Sequence, residues 1–198
     1  MLPARVLKSV QAIASNSRVY LYDLDIHGQL FLSSAKHRTL ATCYRDPRFL
    51  ATFYARLRRN ESRSEEAKAL RSKGYQFVSL CEGEENYLRT DKNGSPLVFQ
   101  ALEGHDLLHA GVQPFPFDPS SLRLDPATGY LFHPSPIPRR SKTGESPYGP
   151  YSLLRSSLVL EHFSDSLELD ENGGSYAFAG KRYSIGRLRE DDVWRRSG

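Results

Sequence analysis

Asp23 and Asp25 close a short apolar run, Val19 to Leu24. Alternate residues of a strand share a face, so a D-x-D pair could present two carboxylates to a hard metal ion. The pair leads straight into Ile26, His27 and Gly28, however, and Asp and Gly are the residues that close turns, so turn chemistry is expected instead. His105 and His109, spaced four apart around Asp106, would share one face of a helix. Their surroundings read as strand or loop, and a closed zinc site needs four ligands where this pair offers two. Lys142, Thr143 and Gly144 lack the G-x-x-x-x-G-K order of a phosphate loop and the strand-to-helix setting that goes with it. No nucleophile elbow gathers the serines, histidines and acids. Neither a metal nor a cofactor is expected on these grounds.

The remaining candidate is a basic, aromatic stretch. Arg45, Arg48, Arg56, Arg58 and Arg59 stand beside Tyr44 and Tyr54. Guanidinium groups next to aromatic rings can neutralise phosphates and stack on bases, so an RNA or an acidic protein is the expected partner. Core packing competes for the same rings, because Phe49, Phe53, Tyr54 and Leu57 repeat at helical spacing. A less favoured alternative is an enzyme whose pocket is assembled from dispersed residues: Asp23, Asp25, His27 and Arg155.

The elements that would position these groups follow from local rules. RVYLYDLDIHGQLFL alternates on both sides of an Asp–Gly break and predicts a hairpin. Asp46 and Pro47 read as N-cap and first residue of a helix, with one apolar face and a basic flank at Arg48, Arg56, Arg58 and Arg59. Asn60–Lys73 is polar and mixed in charge, and is expected to be a mobile connector with a helical turn at most. Tyr75–Leu80 reads as strand, and Asn86–Leu102 as a second hairpin turning at Asp91–Gly94. Leu107–Val112 adds a strand, after which Pro114, Pro116 and Pro119 are expected to break regular structure. Asp125, Gly129, Tyr130, Leu131 and Phe132 echo Asp25, Gly28, Gln29, Leu30 and Phe31, an echo ascribed to shared turn chemistry rather than duplication. Pro134–Pro150 holds five prolines and reads as a loop. Leu158–Phe163 alternates and is expected to be strand, and Tyr176–Ile185 a closing hairpin. The sum is an α+β, β-rich chain of successive antiparallel hairpins with one main helix packed on the sheet.

The chain has 198 residues, enough for one domain with a core burying roughly 70% of its unfolded surface. The expected division is a transit-like segment at 1–18, a single α+β domain at 19–188 and a flexible tail at 189–198. Charge is lopsided: residues 1–73 hold 14 basic and 6 acidic side chains, the remainder 13 and 17. No apolar run reaches the ~20 residues of a membrane span, so a soluble protein is expected. The two cysteines, Cys43 and Cys81, lack metal or redox spacing and are expected as reduced thiols. Residues 1–18 carry Arg5, Lys8 and Arg18, no acid, and Leu2, Val6, Val10 and Ile13 on one helical face. That is the pattern of an organellar transit peptide, so a mitochondrial address is expected, with the cytoplasm as alternative.

The runs YDLDIHGQLFL, ATCYRDPRFLATFYARLR, Asn86–Arg89, GYLFHPSP and LLRSSLVLE occur in consistent order over residues 19–169. Together they resemble a small uncharacterised eukaryotic family, catalogued as a domain of unknown function, whose human member is a chromosome 8 open reading frame product. The resemblance implies a mitochondrial protein and brings no activity, cofactor or catalytic residue. The order of Asp–Gly hairpin, helix, strand and late Arg155 is also similar to a bacterial family of unknown function with repeated β-rich motifs. The reading that results is a non-enzymatic mitochondrial binding or accessory module acting through a basic helix surface.

Overall fold

Asp25 and Gly28 turn the chain back on itself. The Asp25 carboxylate accepts the N–H of His27 at 2.9 Å and of Gln29 at 2.8 Å, and Gly28 takes a φ of +76° that side chains resist. Strand β1 (Val19–Leu24) thereby pairs antiparallel with β2 (Leu30–Leu32). The computed structural model describes residues 18–81, 83–138, 144–189 and 192. Residues 1–17 of the transit-like segment, Lys142, Thr143 and most of the tail lie outside them.

Asp46 caps helix α1 (Pro47–Ala55), its carboxylate accepting the Phe49 N–H at 2.6 Å, and Pro47 has no N–H to leave unsatisfied. Asp46→Ala is expected to lower stability by ~1 kcal/mol; an unchanged urea midpoint would show that the cap contributes nothing. The helix then stops sooner than its apolar period suggests. Arg56 is the C-cap, its N–H bonded to Thr52 O, and Leu57–Arg59 form strand β3. Leu57, four residues after Phe53, fits either a continuing helix or a strand facing the core. Pairing of β3 with β4 (Phe77–Cys81) decides for the strand, so Arg56, Arg58 and Arg59 are not on a helix face.

The expected connector contains helix α2 (Glu65–Ser72). Ser64 caps it by accepting the Ala67 N–H, Glu65 and Glu66 occupy its first turn and Arg71 its last, each suited to the helix dipole. Beyond β4, strand β5 (Glu84–Thr90) runs antiparallel to it and parallel to β1, which completes a sheet ordered β2-β1-β5-β4-β3. Asp91–Gly94 does form a turn, with Gly94 N–H on Asp91 O. It does not close a hairpin, because β6 (Val98–Phe99) leaves for a second sheet and pairs parallel with β12 (Tyr151–Leu154).

A three-stranded sheet follows: β7 (Ala101–Glu103), β8 (Leu107–Ala110) and β9 (Gln113–Pro116). Pro114 and Pro116 sit in β9 instead of ending regular structure; β9 is an edge strand, where a missing N–H breaks no ladder. The remaining strands are β10 (Arg123–Leu124), β11 (Leu131–Pro134), β13 (Glu168–Asp170), β14 (Gly173–Phe178) and β15 (Lys181–Arg187). With β12 and β6 they build a sheet ordered β13-β14-β15-β10-β11-β12-β6. The closing hairpin β14–β15 forms as expected. Leu158–Phe163, expected as strand, belongs to helix α3 (Ser156–Phe163). A strand would put Leu158 and Leu160 on one face, whereas Leu158 is buried and Leu160 is 66% exposed.

The echo around Asp25 and Asp125 marks more than a shared turn. In each sheet a hairpin (β1–β2, β10–β11) precedes a helix (α1, α3) and an antiparallel meander (β3–β4–β5, β13–β14–β15). The last meander strand returns parallel to the first hairpin strand. The registers agree: Leu24 faces Leu30 and Thr90, Leu124 faces Leu131 and Arg187. Leu24 O accepts the Asp91 N–H at 2.9 Å, and Leu124 O accepts the Leu188 N–H at 2.8 Å. The five-strand arrangement occurs twice, with α2 as an addition to the first copy and β6–β9 between the copies. Three pairings are parallel and three α-helices are present among the described residues, so the fold is β-rich with mixed sheets, not a run of hairpins with one helix.

One apolar cluster joins the two copies, from Tyr22, Phe53, Phe77 and Leu88 through Phe99 and Leu108 to Phe132, Phe163 and Tyr176. A smaller one, Tyr75, Val78 and Tyr87 with Leu70 of α2, lies apart from it and gives α2 its anchor. No helix among the described residues is long and apolar enough to cross a membrane.

Candidate functional site

The carboxylate pair is structural. Asp23 is 6% exposed, and Arg89 grips it with Nε on Oδ1 at 2.7 Å and Nη2 on Oδ2 at 3.1 Å. Arg38 bonds the same Oδ2. Burial pushes the Asp23 carboxyl up, but the Arg89 bond and the charges of Arg89 and Arg38 outweigh it, and the group ends below the usual carboxylate range. Asp25 serves the turn and His27 is exposed beside it. Asp23 and Asp25 line one pocket with Arg38 and Arg89, whereas Arg155 lines another.

The histidine pair also separates. His109 Nε2 meets Glu103 Oε2 at 2.9 Å across the β7–β8 hairpin, while the His105 ring stands edge-on to Phe178. No group of three potential metal ligands occurs among the described residues. Buried His133 belongs to the core: its Nε2 accepts the Asp118 N–H at 3.0 Å, between the rings of Phe99 and Phe117. Burial holds its pKa below the ordinary value. Cys43 and Cys81 are free thiols.

The five arginines divide. Arg58 and Arg59 of edge strand β3 rim a groove of about 510 Å³, shared with Ser62, Tyr87, Glu61 and Glu85. Arg56 gives its Nη1 to Leu80 O at 3.0 Å, and Arg48 is exposed in the first turn of α1. Tyr44 and Tyr54, candidates for base stacking, pack inward: Tyr44 against Tyr22 and Phe49, Tyr54 against Phe53. Arg45 goes elsewhere, to a cleft between the first copy and the β6–β9 segment, which Arg155 of the second copy also lines.

That cleft, about 430 Å³, brings Arg45 together with Arg155, 110 positions later in the chain. Each arginine directly follows a residue that runs beside the second hairpin strand of its own copy, and each stands just before a helix. Tyr44 N–H bonds Leu30 O, and β12, ending at Leu154, pairs with β11. Eight residues further on, both sequences place a fully buried phenylalanine, Phe53 and Phe163. The two arginines therefore hold corresponding places, one residue apart relative to the helix cap, and line one cavity. No Asp or Glu is among its lining residues. Arg155 Nε is shut off from solvent without a hydrogen-bond partner among the described residues. A buried N–H left so costs about 1–3 kcal/mol.

The walls are set by a side chain that sequence reasoning missed. Gln100 donates from Nε2 to Gly28 O at 2.8 Å and to His27 O at 3.2 Å, and its Oε1 accepts the Gly111 N–H at 3.0 Å. It thus clamps the first hairpin turn to the β8–β9 turn. A Cβ at Gly28 would fall 2.6 Å from that amide, so a side chain there would push Gln100 aside, and the φ of +76° itself favours glycine. Tyr54 forms part of the floor; burial, then the nearby Tyr148 and Asp25, raise its phenol pKa and keep the proton on. Tyr148 fixes the end of α1 by donating to Tyr54 O at 2.8 Å, and burial pushes its own pKa up to about 12. The one signal in the sequence that could have joined Arg45 to Arg155 is the Asp25/Asp125 echo, had it been read as duplication instead of shared turn chemistry.

Among solved structures, the chain is similar to a DUF1285 family protein from Silicibacter pomeroyi, at 16% identity over 87% of this chain and 85% of that one, with a TM-score of 0.41. Residues 9–187 match the model of a family described as Domain of unknown function (DUF4505), and the chain belongs to that family.

Proposed function

We propose that this protein is a non-enzymatic mitochondrial binding module and that its ligand is anionic, held in the cleft that Arg45 and Arg155 line. The observation that carries this is the meeting of Arg45 and Arg155 in a cavity with no carboxylate in its lining. Guanidinium groups form charge-assisted, bidentate bonds with oxyanions, and such bonds strengthen where walls exclude water. Titration with inorganic phosphate is expected to saturate, and Arg45→Gln, at an exposed position, is expected to weaken it by about tenfold. Equal affinity in the variant would refute the cleft as an anion site.

A macromolecular partner, RNA or an acidic protein, is a second reading, favoured by the groove that Arg58 and Arg59 rim beside edge strand β3. The inward packing of Tyr44 and Tyr54 removes the stacking platforms that RNA would use and leaves an acidic protein as the better fit. The mitochondrial address is supported by the basic, acid-free residues 1–18. Deleting residues 2–18 from a tagged protein is expected to leave it in the cytosol; mitochondrial fluorescence from the truncated form would end that claim.

A further inference from the structure

The cleft has two chemically distinct zones, and together they define a ligand more narrowly than charge alone does. Arg45 and Arg155 supply two positive charges that no lining carboxylate offsets. A carboxylate, with one charge and two oxygens, satisfies one guanidinium fork. A phosphate monoester carries about −1.5 to −2 charges at neutral pH and three acceptor oxygens, enough charge and acceptors for two forks.

Apart from Gln29, Gln100 and Cys43, the side chains of the remaining lining are apolar or aromatic. Leu50 and Tyr54 of α1, Leu40, Val98 and Val112 share the cavity with the arginines. Leu40 and Val112 are 59% and 48% exposed, large side chains that a ligand would cover. A free inorganic anion would use the arginines and leave this surface wet. Pockets of roughly 300–1,000 Å³ that combine an apolar lining with a few convergent polar groups are the usual sites for organic ligands, and a cavity of about 430 Å³ falls in that range. Gln100, held by three hydrogen bonds to backbone, keeps the cleft walls in place before anything enters.

We infer that the cleft takes a small organic phosphate: a phosphate monoester held by Arg45 and Arg155, with an apolar or aromatic body lying against Leu50, Val98 and Val112. This rests on the reading of the cleft as an anion site and adds the class of molecule.

Calorimetric titration of the full chain with phenyl phosphate, inorganic phosphate and benzoate separates the two claims. Phenyl phosphate is expected to bind at least about tenfold more tightly than inorganic phosphate, because it also buries apolar surface. It should also bind at least about tenfold more tightly than benzoate, which has one charge for two guanidinium groups. Arg45→Gln and Arg155→Gln should each weaken phenyl phosphate by about tenfold, with circular dichroism confirming the fold. Leu50→Ala should weaken phenyl phosphate and leave inorganic phosphate unchanged. If Arg155→Gln fails to fold, the exposed Arg45→Gln still decides the matter. Equal affinity for phenyl phosphate and inorganic phosphate would overturn the organic phosphate and leave the anion site standing. Tighter binding of benzoate would overturn the phosphate. Absence of saturable binding by all three probes would overturn the anion site as well. Arg58→Gln, in the groove beside β3, should change none of these affinities; if it weakens them as much as Arg45→Gln does, the cleft is not the site.

Discussion

Phe53→Ala is expected to cost about 4 kcal/mol and to lower the melting temperature by roughly 10 °C. The Phe53 ring is fully buried where α1 meets the first sheet, with ring centroids 5.6 Å from Tyr22, 5.7 Å from Phe49 and 5.4 Å from Tyr54. Truncation removes the burial of a whole ring and leaves a cavity that three aromatic neighbours, held by their own contacts, cannot refill. The backbone tie between α1 and β4 survives the change, because Phe53 O, which accepts the Ser79 hydroxyl at 2.8 Å, belongs to the main chain. Phe49→Ala, on a half-buried ring of the same cluster, is expected to cost less than half as much. Urea unfolding of both variants checks the order, and equal losses would mean that the cluster relaxes around the gap. Phe163, at the equivalent place in the second copy, should lose as much as Phe53 does.

Asp23→Asn is expected to cost about 2–3 kcal/mol at neutral pH. The change removes the negative charge that Arg89 and Arg38 share and leaves two cations facing a neutral amide. Fully buried pairs lose about 3–5 kcal/mol when one partner goes, and the lower figure here reflects Arg89, which is one-third exposed and can recruit water. The pH dependence has a definite sign. The folded carboxyl lies below its ordinary 3.8, so its contribution is fully present above that value and is lost as pH falls through the folded pKa. The stability gap between wild type and Asp23→Asn should therefore be constant from neutral pH down to about 5 and close below 3.8. A gap that stays the same at pH 3 would mean the ion pair is not its source.

Features that close within a few residues were legible in the sequence. The Asp25–Gly28 turn, the Asp46–Pro47 helix start and the β14–β15 hairpin depend on bonds spanning two to four positions, or on one tight turn. Such bonds form from residue type alone, and all three appear as read. Helix α2 was hidden because of its side chains only Ala67 is buried, too narrow a stripe to show a period. Residues Leu158–Phe163 satisfy both an alternating and a helical pattern over so short a run, and burial of Leu158 and Phe163 with Leu160 outside decides for the helix. The five arginines looked like one surface because they are close in sequence. Pairing of Leu57 with Ser79, a contact 22 positions away, ended the helix at Ala55 and turned Arg58 and Arg59 onto a sheet edge. The parallel pairing of β1 with β5, the recurrence of that arrangement around β10 and β15, and the meeting of Arg45 with Arg155 lie further still from any local rule. Side-chain types write the turns and caps, whereas the choice of strand partners is made by burial of the whole apolar cluster, and that choice alone brings the two cleft arginines together.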